Sequence, residues 1–148
     1  MITDKNLIIA SNSGAITTSV AVGDVLDLAA IREVGEGKTL YAFIHVNTAF
    51  AGGGTVTFQV KSSANDTIAA ADTTIGSSPT FTSDGTNLPD NKVVAIKLNP
   101  QLGLTGDQYL GLWVATTGTV STGTIGACVV LDIQDGLKYY PTNIVIDD

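Results

Sequence analysis

The segment Leu40–Lys61 reads LYAFIHVNTAFAGGGTVTFQVK and decides the fold class of this protein. Within Leu40–Asn47, one face carries Leu, Ala, Ile and Val, and the other carries Tyr, Phe, His and Asn. Thr55–Lys61 alternates more strictly, with Val, Phe and Val on one face and polar residues on the other. A period of two residues is typical of a β-strand with one buried face. The glycine-rich stretch Ala51–Gly54 between the two segments predicts a hairpin connection.

The rest of the chain repeats this pattern in shorter segments that are separated by turn residues. Threonine and glycine are abundant and strong helix formers are scarce, a balance that favours strands joined by tight turns. We predict further strands over Ile16–Val22, Lys92–Leu98, Gln108–Thr117 and Ile125–Gln134, and shorter ones over Asn6–Ser11, Val25–Leu28 and Thr80–Thr82. Asn65–Thr73 has the composition of a helical turn or two, and Ser62–Asn91 as a whole predicts long surface loops around one short strand.

About eight short strands in a chain of one domain's length predict an all-β, single-domain antiparallel β-sandwich, and a jelly roll suits this count. The 148 residues are 44% apolar and only 14% charged, which is a globular composition. An immunoglobulin-like sandwich is the nearest alternative, but the single Cys128 cannot supply the paired cysteines of that fold. We expect residues 1–136 to form the jelly-roll domain and residues 137–148 a C-terminal arm or edge strand, because Pro141 disfavours a central strand.

The charge and the apolar pattern argue against two classes of partner. Fourteen acidic and seven basic residues give a net charge of −7, so the protein would approach a nucleic acid against its own electrostatic field. The run Leu7–Ala10 is too short for the apolar core of a signal peptide, and no run reaches the length of a membrane span. We therefore expect a soluble protein that binds neither nucleic acid nor membrane.

The sequence predicts no catalytic residue, metal site or cofactor. His45 is the one histidine and has no recognisable nucleophile beside it, and Cys128 is expected to pack as a small apolar side chain. The cluster Asp84–Asn91 is rich in oxygen ligands but lacks the spacing of an EF-hand, so we interpret it as an Asx-type turn. Gly35–Gly37 and Gly52–Gly54 lead into strands, whereas a phosphate-binding loop opens a helix.

Aromatic side chains on the face opposite the predicted core suggest an association surface. A monomeric sandwich normally presents polar residues there, so we expect either coverage by the Ser62–Asn91 loops or contact with another protein. The apolar tail is a second candidate for such a contact, because an edge strand invites pairing. Closed self-association follows, most simply as a homodimer, with a trimer as the alternative. The candidate interface residues are Tyr41, Phe43, Tyr109, Trp113, Tyr139 and Tyr140.

Three groups of segments follow one another in a recognisable order. They are Met1–Ile8; Val25–Leu28 with Arg32–Gly37 running into Leu40–Ile44; and Gln108–Leu112 followed by Val130–Asp135. In this order and spacing the chain resembles the capsid cement (decoration) proteins of short-tailed double-stranded DNA phages, of the Bordetella-phage type. The resemblance extends from the first residue to about Asp135, with Ser62–Asn91 and the tail outside it.

The resemblance implies a jelly-roll subunit, made in the host cytoplasm, that binds the outer surface of a mature phage capsid. Such subunits often bind as symmetric pairs that bridge major capsid proteins, and the family offers no catalytic residues to carry over. A glycan-binding jelly-roll module, with Trp113, Tyr109, Tyr139 and Tyr140 stacking on sugar rings, is the alternative from another class. A small glycoside hydrolase is a third hypothesis, and it requires two carboxylates that face each other across a cleft.

Overall fold

A computed structural model describes residues 8–28, 40–98, 106–131 and 144–147 of the chain. These residues form ten strands and no helix. The strands are β1 (Ile8–Ala10), β2 (Val20–Asp27), β3 (Leu40–Ala51), β4 (Thr55–Ser63), β5 (Thr73–Ser77), β6 (Phe81–Thr82), β7 (Val93–Leu98), β8 (Tyr109–Thr117), β9 (Thr122–Leu131) and β10 (Ile144–Asp147). The predicted all-β class is confirmed.

The strands form two sheets with the connectivity of a jelly roll. Sheet 1 has the order β1-β9-β3-β7-β10, and sheet 2 has the order β2-β8-β4-β5, with the short β6 paired to β4. When β6 and β10 are set aside, eight strands remain. In these, β1 pairs with β9, β2 with β8, β3 with β7 and β4 with β5, and all four pairs are antiparallel. This nested pairing is the jelly-roll sandwich that the sequence predicts.

The end of the tail contributes an additional strand at an edge. β10 pairs with β7 in parallel, from Ile144 opposite Val93 to Asp147 opposite Ile96. It is the one parallel pairing among the described strands and lies at the outer edge of sheet 1. The last described residues of the tail therefore belong to the same sandwich as the residues before position 137.

The glycine-rich connection after β3 is not a hairpin, which corrects the sequence prediction. β3 belongs to sheet 1 and β4 to sheet 2, so Gly52–Gly54 carries the chain from one sheet to the other. The turn is fixed by neighbouring loops: the Gly53 amide donates to the Ser83 carbonyl at 2.8 Å and the Gly54 amide to the Thr119 carbonyl at 2.7 Å. The alternation of apolar and polar residues indicates which face of a strand is buried, but it does not identify the hydrogen-bonded neighbour of that strand. The sequence therefore could not show that β3 and β4 lie in different sheets.

Three further predictions from sequence differ from the structure. The segments predicted as separate strands, Ile16–Val22 and Val25–Leu28, form the single strand β2, which starts only at Val20 and is interrupted by a bulge. Asn65–Thr73 forms bends and a turn instead of helix. The region Ser62–Asn91 holds β5 as well as β6, because Thr73–Ser77 pairs with β4 despite its weak apolar alternation.

The core lies between the two sheets and is built by alternate residues of each strand. In β4, Val56, Phe58 and Val60 are fully buried, as their spacing predicts. The Phe58 ring meets the Phe50 ring edge to face, with centroids 6.0 Å apart, an arrangement that aromatic quadrupoles favour. The neighbouring strand β8 supplies Leu110, Leu112 and Val114 in the same way, and β3 of the facing sheet supplies Ala42, Ile44 and Val46.

Candidate interaction surfaces

The outer face of sheet 1 carries an apolar cluster that is buried in the folded chain. Phe43 of β3 lies opposite Cys128 of β9 and Ala95 of β7, and Tyr41 lies opposite Val130. Phe43 is only 7% exposed, whereas Tyr41 and Cys128 are half-buried. Cys128 thus packs against this cluster, as predicted for a small apolar side chain. Phe43 is not available as a free docking residue on this surface.

The outer face of sheet 2 is partly covered by residues 64–72, which we call the strap. The Lys61 ammonium, 3% exposed as a residue, donates to the carbonyl oxygens of Ala70 and Asp72, both at 2.9 Å. Ile68 lies over Gly111 so closely that a Cβ at Gly111 would be 2.5 Å from its Cγ1 atom. One part of the predicted Ser62–Asn91 loop coverage is therefore observed, and it protects sheet 2 rather than sheet 1.

The candidate interface residues are divided between the two outer faces. Tyr41 and Phe43 lie on sheet 1, and Tyr109 and Trp113, both half-buried, lie on sheet 2. The sandwich itself separates these pairs, so the four side chains do not form one continuous patch. Tyr139 and Tyr140 lie outside the described residues.

The two aromatic residues of sheet 2 do not form one continuous platform. Tyr109 and Trp113 are on one strand face, about 13 Å apart at the usual rise per residue. The strap residue Ile68 lies over Gly111, midway between them. A sugar ring stacked on one of the two would contact the strap before it reached the other, which bears on the glycan-binding alternative.

His45 takes part in a polar network that connects two segments. Its Nδ1 atom is 2.7 Å from Oδ1 of Asn47. The Asn47 amide nitrogen donates to Oδ1 of Asn12 at 2.9 Å and approaches the Ser11 carbonyl at 3.4 Å. The amide oxygen therefore faces the ring and accepts from Nδ1, which leaves Nε2 without the proton in the neutral tautomer. The network fixes the segment that follows β1 against β3.

The acidic cluster at Asp84–Asn91 forms the predicted Asx-type turn. Oδ1 of Asp84 accepts from the backbone amides of Thr86 at 2.8 Å and Asn87 at 2.9 Å, and Oδ2 accepts from the Asn87 side-chain amide at 2.8 Å. The backbone bond from Asn87, followed by that from Thr86, lowers the pKa of Asp84 below its ordinary value of 3.8. Among the described residues no group of three His, Cys, Asp or Glu side chains converges on a metal position.

A cleft between β2 and the strap is the feature that sequence reasoning missed. It has a volume of about 530 Å³ and is lined by Ala21–Val25, by Asp66–Ile68 and by Leu112. β2 and the strap bring the two acidic residues Asp24 and Asp66 to its walls from distant positions in the sequence. A signal was present, since Gly23 and Asp24 interrupt an otherwise apolar strand, a pattern consistent with a bulge.

The described part of the chain contains no helix that could cross a membrane. No curated protein matches the sequence. A family model described as Bbp16 matches residues 10–129, which include β2 to β8 and most of β9. The match therefore covers nearly the whole jelly roll. The chain belongs to the Bbp16 family, a Bordetella-phage protein family.

Proposed function

We propose that this protein is a non-enzymatic virion subunit that binds the outer surface of a phage capsid and stabilises the shell of major capsid protein. The observation that carries the proposal is its membership of a phage protein family over residues 10–129. The ordered segments that resemble capsid cement proteins add the specific role. A net charge of −7 suits a position outside the shell, away from packaged DNA.

The proposed mechanism is thermodynamic. A subunit that binds the assembled shell, and not the free coat protein, lowers the free energy of the shell by RT ln(1 + [L]/Kd) at each site. Many copies add their contributions, even if each buries an interface of only standard size, about 1,600 Å². A jelly roll with a continuous core between two sheets is a rigid body suited to such bridging.

The proposal is tested by co-sedimentation of the purified protein with expanded, mature capsids and, separately, with procapsids that lack it. We expect saturable binding to the expanded shells, weak binding to procapsids, and a higher temperature of shell disruption when the sites are filled. Failure to bind expanded shells, or equal binding without shell stabilisation, would contradict the proposed role.

Two substitutions separate this role from a catalytic one. His45→Ala and Cys128→Ser remove the residues on which histidine- or cysteine-based chemistry would depend. We expect both variants to bind expanded capsids as the wild type does, with at most a modest loss of folding stability. A folded variant that lost shell binding and stabilisation would point to a direct role for that side chain.

A further inference from the structure

β2 is an edge strand whose outer side has no partner among the described strands. It pairs only with β8, with Val22 opposite Leu112 and Leu26 opposite Leu110. Three residues of β2 therefore stand against Gly111 alone, which makes a bulge. The bulge lies beside the strap, and the two together border the cleft.

The bulge is held in place by the neighbouring sheet. Gly23 has a φ of +74°, a region that favours glycine, and a Cβ there would lie 2.1 Å from the Ile9 carbonyl oxygen of β1. The close approach fixes the bulge against sheet 1. On the other side, Ile68 over Gly111 and the Lys61 bonds to the strap fix the second wall of the cleft. Both walls are thus fixed by contacts within the protein.

The described lining of the cleft combines an apolar surface with two acidic side chains. Val22, Ile68 and Leu112 supply buried apolar groups, while Asp24 and Asp66 are exposed at the rim. No Lys or Arg is among the described residues that line it. Lys61, which lies on the same outer face, directs its ammonium to two strap carbonyls. A segment that carries Lys or Arg beside apolar residues complements such a surface.

Charge also distinguishes between the possible occupants. A second copy of this chain carries a net charge of −7, and two-fold pairing of the clefts would bring equivalent acidic residues together. Like charges across an interface disfavour that arrangement. A basic segment of a different protein meets no such penalty.

We propose that the cleft between β2 and the strap receives an extended, Lys- or Arg-bearing segment of the major capsid protein, which lies between the bulge of β2 and the strap. The inference rests on the proposed function for the identity of the partner. The apolar lining provides affinity, and the two aspartates select for positive charge.

The first test removes both charges with Asp24→Asn and Asp66→Asn in one variant. A matched control, Thr86→Lys with Thr119→Lys, changes the net charge by the same amount at exposed positions outside the cleft. We expect about ten-fold weaker binding of the Asn variant to expanded capsids at 0.1 M salt, and binding of the control close to that of the wild type. The difference in capsid affinity between the Asn variant and the wild type should shrink as the salt is raised from 0.1 M to 1 M, because the Debye length falls from about 10 Å to about 3 Å.

The second test is independent of capsids. A capped hexapeptide of alternating valine and lysine is titrated into the wild-type protein, with the valine–glutamate peptide as control, and backbone amide shifts are followed by NMR. We expect shifts confined to Ala21–Val25 and Asp66–Ile68 with the lysine peptide only, and their loss in the Asn variant.

The outcomes separate the two proposals. If the wild type and both variants bind capsids equally, the cleft proposal is wrong and the proposed function stands. If the wild type binds no capsid while the lysine peptide occupies the cleft, the proposed function fails and the basic-segment specificity of the cleft stands. Equal shifts with both peptides, or self-association that becomes stronger in the Asn variant, would overturn the assignment to a basic foreign segment.

Discussion

At the scale of single residues, the buried Lys61 is the most consequential side chain outside the core. It lies on the outer face of sheet 2, and its ammonium donates to two carbonyls of the strap. Lys61→Met preserves most of the aliphatic stem but leaves both carbonyls without this donor. We expect a loss of about 1–3 kcal/mol in the free energy of unfolding. Faster amide exchange in residues 64–72 should accompany it.

The Lys61 prediction is checked by urea unfolding and hydrogen exchange, with Lys97→Met as the control because Lys97 is exposed on β7. The control should change neither quantity appreciably. Unaltered protection of the strap in Lys61→Met would show that contacts other than the Lys61 hydrogen bonds, such as that of Ile68 with Gly111, hold it to the sheet.

Asp84 supplies a prediction about pH. Because its pKa is lowered in the folded chain, the ionised carboxylate stabilises the fold at pH values above its ordinary pKa of 3.8. That contribution is lost as the pH falls through the lowered value. We therefore expect Asp84→Ala to reduce the urea midpoint at pH 7, and the difference from wild type to disappear on acidification. Asp66→Ala is the control, and a deficit in Asp84→Ala that persisted below pH 2 would argue against the carboxylate as the cause.

At the scale of one element, β8 tests the assignment of the two sheet faces. Leu112 is 1% exposed and packs between the sheets, whereas Trp113 is half-buried on the outer face. Leu112→Asp places an unpaired charge in the core and should cost more than about 4 kcal/mol, enough to unfold the domain or direct it to inclusion bodies. Trp113→Asp should remain soluble and folded by circular dichroism. The opposite pair of results would reverse the faces.

At the scale of the whole molecule, two separate surfaces are available for self-association. Trp113 and Tyr109 lie on the outer face of sheet 2, and β10 forms an edge of sheet 1. We expect sedimentation velocity to show a two-fold dimer of the wild type. The two variants are Trp113→Ser and a chain stopped after Gly136. The variant that removes the dimer contact should dimerise more weakly than the wild type. Urea midpoints establish that both variants are folded. A wild type that remains monomeric at high micromolar concentration would contradict self-association.

Much of the fold was predictable because a strand's buried face is a local property of its sequence. The alternation in Thr55–Lys61 and Gln108–Thr117 identified both strands and the side chains that form the core. The ends of β2 and the strand β5 were missed, since a bulge and a Thr-rich strand each weaken the alternation.

By itself the sequence determined the all-β class, the jelly-roll architecture and the division of Leu40–Asn47, Thr55–Lys61 and Gln108–Thr117 into an inner and an outer face. Only the tertiary structure decided which strands share a sheet, so that Gly52–Gly54 crosses between sheets and Tyr41 lies on the opposite side of the sandwich from Trp113. It alone placed Ile68 over Gly111 and Asp24 near Asp66. The physical reason is that alternation is set by neighbours two residues apart, whereas pairing and clefts depend on contacts between residues far apart in the chain.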